Sequence, residues 1–159
     1  MKTIPITLTE FSAAKDAAWL RIVASSAQRL DPATTYKRSM LKRLEEEIVG
    51  AVGEIAVGKW SDRFFVPSVG TFHRVPDCFS NLEVRSTRLE SGSLIVRDND
   101  ADERDFVLAV LVEDCVRLCG WISGAAAKQP EFRRNPKNHR PAWFVPQTEL
   151  LDMEDLRRE

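Results

Sequence analysis

Hydrophobic and polar residues change period twice along this chain. In "TLTEFSAAKDAAWLRIVASSAQRL", residues 7 to 30, Phe11, Ala14, Ala18 and Ile22 recur at helical spacing, with Trp19 and Val23 beside them. Thr7 and Glu10 form the capping-box pattern in front of this run, so an amphipathic first helix is expected to start there. Asp31-Pro32 closes it, because proline disfavours a helical residue before it and offers no amide hydrogen. A second helix is expected from about Ser39 to Trp60, with Met40, Leu41, Leu44, Ile48, Val52, Ile55 and Val57 at its apolar positions.

The second helix carries "EEEIVGAVGEIAVGKW". Gly50, Gly53 and Gly58 each disfavour a helix by about 1 kcal/mol relative to alanine, which points to something approaching the backbone closely. Glu47 and Glu54 are two turns apart, about 20° off register, and so share a face with Gly50 between them. Close helix-to-sheet packing with both glutamates solvated is the other reading of the same pattern.

After Trp60 the pattern shortens to period two. Strands are expected near 64–67, 71–77, 82–88, 93–97, 105–113 and 116–122, separated by turn-forming "SVG", "FSN", "ESGS", "DNDADER" and "ED". The unbroken apolar run "DFVLAVLVE" reads as a strand buried on both faces. A short helix is expected from Ser123, followed by the basic loop "RRNPKNHRP", an extended "AWFVPQ" and a polar turn or helix at the end. Helices about 8–60, a sheet about 64–122 and a helix with a basic loop about 123–159 make one α/β (α+β) domain around a central mixed sheet.

Composition narrows the class. With 159 residues, 43% of them apolar, the chain suffices for one core, and no apolar stretch is long enough to span a bilayer. "MKTIPITLTEF" lacks the apolar run of a secretion signal, so a cytoplasmic location is expected. Cys78, Cys115 and Cys119 follow no disulfide-framework spacing and are read as structural. A net charge of −1 means that any polyanionic partner must be held by a local patch.

One short stretch concentrates candidate chemistry. In "RVPDCFSNLEVRSTR", residues 74 to 88, a three-residue turn over 79–81 would make Asp77 and Glu83 cross-strand neighbours, with β-carbons about 5 Å apart. Strand alternation puts Glu83, Arg85 and Thr87 on one face and Leu82 and Val84 on the other. Two carboxylates so close call for a cation, either a hard divalent ion such as Mg2+ or the guanidinium of Arg85.

Glu54 on a glycine-bearing helix, Pro76-Asp77 and "EVR" at Glu83-Val84-Arg85 resemble the PD-(D/E)XK nuclease superfamily, the restriction-endonuclease-like fold. "LIVRD", "FVLAVLVE" and "GWISGAAAK" look like the later strands and helix of small phage- or prophage-encoded members, and the resemblance covers about residues 39–130. It implies a restriction-endonuclease-like core with an extra N-terminal helix. It further implies Asp77 and Glu83 as Mg2+ ligands (Mn2+ as substitute), Glu54 as a further acid at the metal, and hydrolysis of DNA phosphodiester bonds by a metal-activated water. Arg85 stands where the family has lysine. Arginine stays protonated and orients charge, but does not accept a proton from water. Lys128 and Lys59 are the candidate lysines to compensate, each with a plain surface role as its alternative.

A DNA partner is expected at "KQPEFRRNPKNHR", where Lys128, Arg133, Arg134, Lys137 and Arg140 could follow a phosphate backbone. Trp143 and Phe144 beside it could stack on bases. Core packing is the alternative reading for both, and the stronger one for Phe144. "DNDADE" lacks the glycine and closing glutamate of a calcium loop, so Asp98, Asp100 and Asp102 are expected in a solvated turn. His73, His139 and the cysteines show no zinc spacing. Because of Arg85, a noncatalytic nucleic-acid-binding or protein-interaction module on the same fold is the alternative to the nuclease, and oligomeric state, a homodimer included, is left open.

Overall fold

The computed structural model describes residues 1–27, 39–63, 65, 67–69, 81–137 and 140–156. Two helices, α1 (Leu8–Ala27) and α2 (Met40–Trp60), precede most of the strands. The capping box forms as expected: the Glu10 carboxylate accepts from the Thr7 amide at 2.7 Å, and Thr7 Oγ1 accepts from the Glu10 amide at 3.3 Å. Ser39 caps α2 by accepting from the Lys42 amide.

The strands are β1 (Lys2–Pro5), β2 (Leu82–Thr87), β3 (Leu94–Val96), β4 (Asp105–Val112), β5 (Cys115–Ser123), β6 (Arg133–Arg134) and β7 (Ala142–Val145), with a short helix α3 (Gly124–Ala127) after β5. One sheet is mixed, in the order β1-β5-β4-β2: β2 and β4 run parallel, and β4, β5 and β1 are antiparallel neighbours. The other is antiparallel, in the order β3-β7-β6. Among the described residues, no helix is long and apolar enough to cross a membrane.

The mixed sheet is covered on both faces. Val107 and Ala109 of β4 join Leu82, Val84, Ala51, Val52 and Ile55 in a core under α2, whereas Phe106, Leu108 and Val110 join Leu94, Val96 and Val145 in a second core against the smaller sheet. This explains the unbroken run "FVLAVLV": residues 106–110 are buried whichever way they point. In β5 the register shifts opposite Leu108 and Ala109. Gly120 at the shift has φ +153°, and a β-carbon there would lie 2.5 Å from the Leu151 carbonyl. Glycine thus lets 150–151 cross β5, where Trp121 and Leu151 exchange backbone hydrogen bonds.

Several expectations shift. β1 was not expected; of its side chains only Ile4 packs against the first core, too little for a strand pattern. The polar turn expected near the end is present as two 3-10 turns, Gln147–Glu149 and Met153–Asp155. α1 buries its small residues, Ala14, Ala17 and Ala18, with Ile22, and leaves Phe11, Trp19 and Val23 at 42%, 48% and 47% exposure. Met40 and Leu41, expected on the apolar face of α2, are exposed as well. The expected strand at 71–77 lies outside the described residues. So does half of that at 64–67, whose described members, Phe65 and Pro67, are in no strand.

The α2 glycines are not equivalent. A β-carbon at Gly53 would sit 2.0 Å from Ser86 Oγ and 3.2 Å from Ala109 Cβ, so this glycine sets the distance from helix to sheet. At Gly58 it would meet Phe65 Cβ at 2.5 Å. At Gly50 it would meet nothing within 4 Å, so packing does not require glycine there. Urea denaturation should separate the two kinds: Gly50→Ala is expected to stabilise by up to about 1 kcal/mol through helix propensity. Gly53→Ala should lose about 1–3 kcal/mol by overpacking, despite the same propensity gain.

Candidate functional site

Glu54 follows the glycine that presses α2 onto the sheet, and it is buried. Arg21, from the face of α1 turned to α2, meets it as a fork: Nη1 donates to Oε1 at 2.8 Å and Nη2 to Oε2 at 2.7 Å. The same guanidinium donates through Nε to the Ser68 carbonyl and lies 3.9 Å from Glu47. The face shared by Glu47 and Glu54 therefore exists, and an arginine from another helix occupies it.

Glu83 lies on β2 with a relative exposure of 3%. Leu82 and Val84 enter the core under α2, so alternation sends Glu83 and Arg85 to the opposite face, over the second core. There Arg104 Nη1 donates to Glu83 Oε1, and Arg85 Nη1 lies 3.8 Å from Oε2. Arg85 also pairs with Asp100 at 2.8 Å and stands over the Phe106 ring, 5.3 Å from its centroid. Glu54, on α2, and Glu83, on the face of the sheet turned away from α2, thus lie on opposite sides of the sheet, Glu54 against Arg21 and Glu83 against Arg104 and Arg85. The expectation that they share one pocket is corrected by β2's alternation. Asp77, the third acid of the expected set, lies outside the described residues, as do His73, Cys78 and His139.

The turn between β3 and β4 is largely solvated, as expected, and its three aspartates each also hold a cation from a different element. Asp98 accepts from Arg133 of β6 at 2.8 and 3.3 Å, Asp100 pairs with Arg85 of β2, and Asp102 accepts from Lys128, which follows α3, at 2.6 Å. Asp100 also accepts from the Arg97 amide at 2.8 Å, and its carbonyl accepts from Lys128 Nζ at 2.5 Å. The Arg133 hydrogen bond holds the Asp98 carboxyl below the ordinary carboxylate range. At the start of β4, burial raises the Asp105 carboxyl above that range.

Of the expected DNA-contacting cations, Lys128 and Arg133 are therefore engaged with carboxylates. Arg134 donates to the backbone carbonyls of Glu131 and Arg133. Lys137 and Arg140 are exposed. Trp143 takes the packing role assigned more strongly to Phe144: with Val145 it faces the second core, and Arg133 and Lys128 stand 3.9 and 5.7 Å from its centroid. Its stacking surface is in use by Arg133. Of the two lysines considered, Lys59 is tied to Pro5 and Glu10, whereas Lys128 reaches Asp100 and so borders the Glu83 cluster.

Carboxylates suit Mg2+ as hard oxygen donors, yet the described residues alone do not make a Mg2+ site. No three of their Asp, Glu, His and Cys side chains come together, and both buried glutamates already face guanidinium groups. Cys115 and Cys119 are free and half-buried, in line with structural roles.

Comparison of the chain with protein-family models, with curated proteins and with solved structures finds no match to any of them. The fold stands as mixed α+β.

The Arg21–Glu54 fork is nearly dry, with side-chain exposures of 18% and 5%. Removing one partner strands the other's charge, so Arg21→Ala should destabilise the chain by about 3 kcal/mol. Arg21→Ala with Glu54→Gln should recover part of that loss in the same denaturation experiment.

Proposed function

We propose that this chain is a nucleic-acid-binding protein on a nuclease-like scaffold, which grips a phosphate backbone through the basic segment around β6 and does not cut it. One observation carries the reading: the two described acids of the expected metal centre, Glu54 and Glu83, are each neutralised by arginine. Arg134 and Lys137, by contrast, present charge to solvent on a single segment. A site with its carboxylates charge-compensated attracts a divalent cation weakly, whereas surface cations attract phosphate and release its counterions. DNA is the partner favoured by the sequence resemblance, and a contact through the backbone carries no base preference of its own.

Metal-dependent hydrolysis of the phosphodiester is the second reading. The position of Lys128 favours it: this lysine touches Asp100, Asp100 shares Arg85 with Glu83, and a lysine thereby borders the strand on which arginine replaced one. On this reading Glu83, Asp100 and Asp77 would be the acids available to a metal, and Lys128 the group that holds a proton near them.

Anisotropy of labelled single- and double-stranded DNA tests the first reading, and incubation of the same DNA with Mg2+ or Mn2+ tests the second. Binding should weaken with salt along a logarithmic slope of about −2 to −3, in keeping with three phosphate contacts at about 0.9 each. It should fall at least about tenfold when Arg134, Lys137 and Arg140 are replaced by alanine, remain in Glu83→Gln, and leave the DNA intact. Metal-dependent cleavage abolished by Glu83→Gln would put hydrolysis in place of simple binding.

A further inference from the structure

We infer that the turn over 97–104 restrains the backbone-binding segment by competition: Asp98 and Asp102 occupy Arg133 and Lys128 where phosphate groups of the nucleic acid would otherwise bind. This rests on the binding reading above and adds a means of regulation to it. The Asp98–Arg133 contact supplies the reason. Both carboxylate oxygens meet both terminal nitrogens of Arg133, at 2.8 and 3.3 Å, and the planar guanidinium recognises phosphate with the same two-pronged geometry. Trp143 under the guanidinium fixes its position whether or not the aspartate is there. Arg133 is therefore held ready for an anion, and the chain supplies one of its own.

Location separates these two aspartates from Asp100. Asp98 and Asp102 are 65% and 64% exposed at their side chains, so an incoming phosphate can replace them without opening the core. Asp100, at 14%, pairs with Arg85 beside the buried Glu83 and serves the fold. Exposed ion pairs contribute little to folding, so neutral variants of Asp98 and Asp102 should keep the structure intact.

The test compares three proteins for binding to a labelled DNA duplex by anisotropy, between about 50 and 200 mM salt. They are the wild type, the Asp98→Asn/Asp102→Asn variant, and a Glu113→Gln/Asp114→Asn control. The control changes net charge equally at the far end of β4. The first variant is expected to bind at least about fivefold more tightly at the low-salt end, with a slope steeper by up to about 1.8 for two added phosphate contacts. Adding Arg133→Gln should remove most of that gain, while the control should stay close to wild type. Equal affinity and slope in Asp98→Asn/Asp102→Asn, or an equal gain in the control, overturns the inference. The binding reading survives that result if wild-type binding still depends on Arg134, Lys137 and Arg140. If neither wild type nor variant binds, both fall; if only the variant binds, both stand.

Discussion

A carboxylate withdrawn from water keeps its charge only against a cation, and among the described residues two are withdrawn, on either side of a single sheet. Glu54 is held under α2 by Arg21, and Glu83 on the other face of the sheet by Arg104 and Arg85. Desolvating a charge costs several kcal/mol, so each arginine is constrained by the acid it serves. Arg21 comes from α1, which buries Ala14, Ala17, Ala18 and Ile22 and turns Phe11, Trp19 and Val23 outward. Arg104 must sit at the end of the turn before β4, which fixes where that strand begins beside β2.

The turn over 97–104 extends the same constraint from one layer to the next. Through Asp98, Asp100 and Asp102 it gathers cations from β6, β2 and the end of α3, and so ties the mixed sheet, the smaller sheet and the short helix together. These contacts differ in depth. Arg85–Asp100 is largely buried and belongs to the fold, whereas the carboxylates of the outer two pairs, Asp98 and Asp102, are open to solvent. One acidic turn thereby joins the fold's internal charge balance to the cations of β6 and the end of α3.

Much of the fold was legible because it depends on local pattern. The capping box at Thr7, the helical period of α2 and the apolar run of β4 each state their structure within a few residues. β1 was not, since a four-residue strand with a single packed side chain has no pattern to show. Glu54 and Glu83 were recognisable as unusual acids. Their partners were not, because Arg21 lies 33 positions from Glu54 and Arg104 21 from Glu83, and no local rule selects one arginine among many. The alternate aspartates of the turn suggested a metal loop or a solvated tip, and only the three-dimensional arrangement brings a cation to each. The same distance effect reversed Trp143 and Phe144, since the strand face that meets the second core is set by pairing with β3.

The central claim is that guanidinium groups neutralise Glu54 and Glu83. Calorimetric titration of Mn2+ into the wild type and into Glu83→Gln tests it most directly. The expected result is no saturable heat in either protein; stoichiometric Mn2+ binding that Glu83→Gln abolishes would contradict the account.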